Sequence, residues 1–356
     1  VLGLLLMAIA ISIGEAQSTR VAHAQLSPLA SQGFAGSDSC APCHPAIASS
    51  YASSPMRHAL VASGSAGVFL GRAPLVATID EARYRLTESG GDANYAVEYG
   101  GETKEVPITW LFGAGEAGRT FILEHNGRLI ESRVSEYRRI AGLDLTIGAA
   151  NQRASSLDDA IGRPMGVGDV RECFGCHALG VPRSGEPSLA GIEAGVGCEN
   201  CHGEGLAHVQ ARRSGDLSTG KLKSLKMMEA EDASQLCGSC HRTWEDVVEM
   251  RIRGVLNVRF QPYRLALSKC YDSADGRLSC VACHNPHTPV VRDATMYDKT
   301  CMACHGQPKA NLAACSAGQT NSCTGCHMPK RELPGAHQSF ADHYIQRPGV
   351  EGYPDL

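Results

Sequence analysis

Between residues 75 and 138, apolar and polar residues alternate in short runs: ARYRLTES, NYAVEYG, EVPITWLFG and RTFILEHNGRLIESRV. A period of two sends successive side chains to opposite faces of a strand, and glycine-rich breaks separate the runs. The pattern predicts a small antiparallel β-rich module near residues 71–140, with a two-residue hairpin turn at Asn126 and Gly127 beside His125. Helical spacing is clearest in SSLDDAIGRP and DASQLCGSCHRTWEDVVEMRIRG; elsewhere short helices and loops are expected. The first fourteen residues, VLGLLLMAIAISIG, form an apolar run shorter than the about 20 residues a membrane span needs. With Ala22-His23-Ala24 following, this run predicts a signal peptide over residues 1–24, an uncleaved membrane anchor being the other reading.

Composition sharpens the picture. Only 5% of the 356 residues are aromatic and just two are Trp, a thin supply for a core of this size. A large flat apolar cofactor would make up the shortfall. The net charge is −4 and no long basic run occurs, which argues against nucleic acid as a partner. Sixteen cysteines is the outlying number, and in an exported chain they point to cofactor attachment or disulfides.

Fourteen of those cysteines fall in seven Cys-x-x-Cys-His motifs. These are Cys40, Cys43 and His44; Cys173, Cys176 and His177; Cys198, Cys201 and His202; and Cys237, Cys240 and His241. Then come Cys280, Cys283 and His284; Cys301, Cys304 and His305; and Cys323, Cys326 and His327. Thiols three positions apart on a helical turn can add to the two vinyl groups of one haem, and the next His then lies beneath the iron as its proximal ligand. Zinc knuckles and thioredoxin-like pairs need no His at that position, yet every Cys-x-x-Cys here has one. The spacing predicts seven covalently bound haems c, attached outside the cytoplasm.

Seven further His remain: His23, His58, His125, His208, His287, His337 and His343. His23 lies at the expected cleavage site, which leaves six His for seven second axial positions. His208, His287, His337 and His343 are the foremost candidates. His287 follows His284 by three residues and leaves the same side of its haem, so a neighbouring haem is the better partner. For the first haem both Met56 and His58 are available. His125 reads as an exposed turn residue. Cys270 and Cys315 stand outside the motifs and suggest a disulfide, with two free thiols as the alternative.

The runs AIASSYASSPM, FGAGEAGRTFIL, GVGCENCHGEGLAHV, RFQPYRL, SKCYDSADGRLSCVACHNPH and CTGCHMPK with HQSFADHYI cover most of residues 38–347. In them the chain resembles the exported multihaem cytochromes of the doubled Cys-x-x-Cys-His class, most of all the branch often fused to tetratricopeptide repeats. That resemblance implies Met56 as the ligand of the first haem and makes Cys270 and Cys315 part of the fold. A docking role of such repeats is not carried over, because none follows HQSFADHYIQRPG in this sequence.

The expected fold class is α+β, with short helices and loops around a haem cluster and the β-rich module inserted. The expected segments are 25–70 for the first haem, 71–150 for the β-rich module and 151–356 for the other six haems. The expected function is electron transfer between redox partner proteins in the periplasm or outside the cell, by haems mostly capped on both faces. Two alternatives are a reductase or oxidase of a small nitrogen or sulfur compound at one open haem, and assembly with other cytochromes into an extracellular filament.

Overall fold

The alternating stretch folds into strands because its apolar set lines one side. The computed structural model describes residues 29–349 apart from 65–68, 70–73, 90, 150–151, 223, 226–227 and 307–321. Its strands are β1 (Leu60–Ala62), β2 (Leu75–Ile79), β3 (Ala82–Ser89), β4 (Asp92–Tyr99), β5 (Glu102–Phe112), β6 (Gly118–His125), β7 (Arg128–Tyr137), β8 (Gly142–Leu145) and β9 (Gly162–Pro164). They form one nine-stranded sheet in the order β2-β3-β4-β5-β6-β7-β8, with β1 paired to β5 and β9 to β7. Leu86 opposes Tyr95 and Tyr84 opposes Val97 across β3 and β4, and all four are buried. Between β6 and β7, Asn126 and Gly127 take φ of 52° and 69°, the left-handed values that a tight hairpin turn requires.

β5 is long enough to belong to both halves of the sheet. A bulge between Ile108 and Trp110 bends it, so its two halves face a common core with Tyr95, Phe121, Leu123 and Val134. The sheet also reaches further along the chain than the alternation indicates. β1 and β9 have three residues each, too few to show a period. They are recruited by pairing Leu60 with Phe112 and Ile130 with Pro164. Gly162 permits the second of these, since a Cβ there would stand 2.1 Å from the Glu131 carbonyl oxygen.

The remaining chain is helical in short pieces: α1 (Pro45–Tyr51), α2 (Leu157–Ile161), α3 (Val167–His177), α4 (Cys198–His202), α5 (Leu206–Arg213), α6 (Ala230–His241), α7 (Trp244–Met250), α8 (Gln261–Ala266), α9 (Cys280–Cys283), α10 (Asp298–His305) and α11 (Cys323–His327). Hairpins β10 (Ala178–Leu179) with β11 (Glu193–Ala194) and β12 (Lys330–Leu333) with β13 (Gln338–Ala341) complete it. The class is α+β. α3 docks on the outer face of the sheet, where Phe174 meets Trp110 and Phe112 edge-on at 5.9 and 4.9 Å. Beyond α5 the apolar clusters are small: Val247, Phe260 and Tyr263 in one, Val258, Leu333 and Ala336 in another. Among the described residues no helix is long and apolar enough to cross a membrane. The expected signal or anchor, with His23, lies outside the described residues.

Candidate haem-binding centres

Six of the seven motifs sit at the end of a helix. α3, α4, α6, α10 and α11 each finish on the motif His, and His284 caps α9. The first motif is a turn closed by the His44 N–H donating to the Cys40 carbonyl at 2.9 Å. Local capping explains where these helices begin. The Gly197 N–H donates to Asn200 Oδ1 at 2.7 Å ahead of α4. Ahead of α3 the Gly166 N–H donates to Asp169 Oδ2 at 2.8 Å, while Arg163 contacts Asp169 Oδ1 at 2.9 Å. That N–H and that guanidinium hold the Asp169 carboxyl below the usual carboxylate range.

Motifs far apart in sequence lie side by side. Glu199, between the thiols of the third motif, is buried. Its carboxylate accepts from Ala35 N at 2.9 Å, Gly36 N at 2.8 Å and Gly205 N at 2.6 Å, tying the first motif's approach to the third. Burial and the adjacent Cys198 push the Cys40 thiol up to about 12. Cys176 reaches the Ser239 carbonyl at 3.6 Å, and its thiol, hydrogen-bonded to Cys240, holds Cys240 down to about 6. Cys280 reaches the Ala233 carbonyl at 4.0 Å, joining the fourth and fifth motifs. Thr300 Oγ1 donates to the Ala282 carbonyl at 3.3 Å, and Cys323 N to Asp298 Oδ1 at 2.8 Å, extending the series through the sixth to the seventh.

Several motif imidazoles have Nδ1 or burial contacts that suit a metal ligand. His177 Nδ1 meets the Ala59 carbonyl at 2.8 Å and His327 Nδ1 the Gln346 carbonyl at 2.7 Å. A carbonyl on Nδ1 fixes the tautomer that keeps the Nε2 lone pair free for a metal. Burial lowers the proton affinity of His177, His202, His241 and His284, and holds His343 down to about 4. Burial thus favours the neutral ring, the form in which an imidazole binds a metal. Two pairs of imidazoles lie close together: His202 and His287, 6.0 Å between centres and 2° between planes, and His284 and His343, 6.2 Å and 41°.

The other candidates divide. His208, on α5, has Nδ1 against the Gly220 carbonyl at 3.0 Å. Met56 is half-buried, its carbonyl accepting from Val196 N at 3.0 Å just ahead of the third motif. His58 is exposed and its Nε2 contacts the Ala52 carbonyl at 2.7 Å. His337 has its Nε2 engaged by Asp144 Oδ2 at 2.7 Å and its ring edge-on to Tyr137 at 4.9 Å, latching the tail to the sheet. His44 and His305 are exposed. His125 contacts Asn126 at the hairpin tip. Cys270 is exposed and has no disulfide partner among the described residues, and Cys315, its expected partner, lies outside them.

Sequence reasoning passed over Glu199, Arg264 and Asp342. Glu199 occupies a variable position of its motif, and only its three donors mark it out. Arg264 and Asp342, 78 positions apart, form a doubly hydrogen-bonded pair that is 0–1% exposed. No repeat or spacing advertises such a pair.

The donor sets suit haem c: two thiols and one imidazole per motif, with further imidazoles opposite two of them. Among the described residues no group of three or more His, Cys, Asp or Glu side chains is placed to hold a metal ion unaided. Comparison with known proteins agrees. Residues 147–203, which hold the second and third motifs, match the family model described as cytochrome c554 and c-prime. No curated protein matches the chain. Among solved structures it is similar to the outer cell wall cytochrome OcwA, with a TM-score of 0.53 at 13% identity, over 88% of this chain and 80% of that one. At that identity the likeness is one of fold. Motifs, family match and fold together support a multihaem c-type cytochrome with covalently bound haem.

Proposed function

We propose that this chain is an exported seven-haem cytochrome that passes electrons between redox partner proteins. The separations of two imidazole pairs carry the reading. An imidazole nitrogen binds a metal ion at about 2.0–2.1 Å and lies about 1.1 Å from its ring centre, so two imidazoles on opposite faces of one iron stand about 6.2 Å apart. His202 with His287 and His284 with His343, at 6.0 and 6.2 Å, have that separation. An iron held by such a pair would have no open position and would supply one-electron transfer between two oxidation states. That suits a conduit better than a reductase.

In this reading each motif supplies two thioether sulfurs and the proximal His, as the sequence predicts for all seven. His287 serves the third centre and His343 the fifth. His208, whose Nδ1 meets the Gly220 carbonyl and so leaves Nε2 as the coordinating nitrogen, is read as another second ligand. Met56 is preferred to His58 for the first centre, because the His58 Nε2 is already bonded to a carbonyl. His337 is read as a latch rather than a ligand. Export is supported by the apolar N-terminal run and by the chemistry of thioether attachment. The cell-wall setting named for the similar structure favours the cell surface.

The test is direct. Mass spectrometry of the mature protein should show seven haems, and electron paramagnetic resonance of the ferric form should show low-spin signals from at least the four centres given a second ligand here. Fewer haems would break the count. Carbon monoxide binding by more than three haems of the reduced wild-type protein would overturn the conduit in favour of open-haem chemistry.

A further inference from the structure

The segment 342–346 is tied down at every residue. The Asp342 N–H donates to the Pro329 carbonyl at 3.1 Å, and its buried carboxylate takes Arg264 Nε at 2.8 Å and Nη2 at 2.9 Å. Asp342 Oδ1 also accepts the Tyr344 N–H at 3.0 Å, and the Tyr344 ring lies 5.3 Å from the Arg264 guanidinium carbon. Ser268 Oγ donates to the His343 carbonyl at 3.2 Å and accepts the Ile345 N–H at 2.8 Å. The Gln346 N–H donates to the His327 carbonyl at 3.1 Å. Both anchors come from one place: Arg264 lies in α8 and Ser268 two residues beyond its end.

This strap touches two motifs in different ways. From its centre His343 faces His284 of the fifth motif. From its end the Gln346 carbonyl meets Nδ1 of His327 in the seventh. A bidentate guanidinium–carboxylate pair fixes both distance and angle, and at 0–1% exposure water does not loosen it. Ligand geometry in metal sites is set by such supporting bonds.

Resting on the haem reading above, we infer that Arg264 and Asp342 are positioning residues for two iron centres at once. They hold His343 across from His284 as a second axial ligand, and they hold the Gln346 carbonyl that orients the proximal His327. One ion pair thereby sets the coordination of the fifth centre and the ligand basicity of the seventh.

The experiment uses the mature haem-loaded protein and reads the spin state of the ferric form, carbon monoxide binding of the reduced form and a potentiometric titration. H343A should add one carbon monoxide-binding, high-spin haem equivalent to the wild-type value and leave the other potentials in place. R264M should add the same equivalent and also shift the midpoint potential of a second haem that stays low-spin. R264K keeps the charge but loses the fork, and should give a fractional gain between wild type and H343A. A response in H343A with R264M and R264K both like wild type overturns the positioning role while the haem reading stands. No response in H343A overturns the pairing of His343 with His284. If R264M does not accumulate, R264K alone decides, and a wild-type spectrum in it counts against the inference. Absence of haem from the wild-type protein would defeat the underlying reading instead.

Discussion

Glu199 offers the sharpest test of how the first motif is held. Its carboxylate takes three backbone N–H groups, two on Oε1 from Ala35 and Gly205 and one on Oε2 from Gly36. A hydrogen bond to a charged group is worth about 1.5–3 kcal/mol, and a buried donor left without a partner costs about 1–3 kcal/mol. Glu199→Gln keeps one oxygen for Ala35 and Gly205 and turns an NH2 toward the Gly36 N–H, so it should cost about 1–3 kcal/mol. Glu199→Ala removes all three acceptors. With some water refilling the space, and because neighbouring bonds do not add, the expected loss is about 3–5 kcal/mol. At roughly 2 °C per kcal/mol for a chain of this size, the thermal midpoint should fall by about 2–6 °C in the first variant and about 6–10 °C in the second. Melting followed by circular dichroism measures it, with haem content by mass spectrometry as the control. An alanine variant within about 0.5 kcal/mol of wild type, or a glutamine variant less stable than it, would refute the assignment of Glu199 as the tie between the first and third motifs.

Three further outcomes are expected. Met56→Ala should open one haem to carbon monoxide while His58→Ala leaves coordination intact; the reverse pattern would make His58 the ligand of the first haem. Gly195→Ala should cost about 1–3 kcal/mol, because a Cβ there would lie 1.9 Å from the Arg57 carbonyl at a φ of +81°, and it should disturb the Met56 centre beside it, as seen in that haem's absorption. Asp169 has a depressed folded-state pKa, so its contribution is present above the ordinary carboxylate range, near pH 4, and lost as pH falls through the lower folded value. Asp169→Asn should therefore show a smaller decline of thermal midpoint on acidification than wild type, and equal slopes would remove Asp169 from the capping of α3.

Much of the fold was legible locally. The alternation in β3 to β7 and the Asn126-Gly127 turn announce a meander, because a half-buried strand must bury every second side chain. The three-residue strands β1 and β9 carry no readable period, and only their partners in the sheet make them strands. The motifs were legible for a similar reason. Thioether attachment demands two thiols and a His within five consecutive residues, a constraint written in the sequence itself.

What faces those histidines is a different matter. Sequence spacing excluded His287 from its own motif's iron but could not place its ring parallel to that of His202. It ranked His337 with His343, and the tertiary structure distinguishes them: one meets Asp144 of β8, the other stands opposite His284. The first motif reads as a separate N-terminal segment, yet Glu199 binds its approach across more than 160 positions of sequence. The sequence by itself determined the candidate residues for haem attachment and where most of the sheet lies, since both follow from local periodicity and local covalent chemistry. Which motifs are neighbours, which imidazoles face one another, and which buried charges hold them depend on contacts between distant segments, and only the tertiary structure decided those.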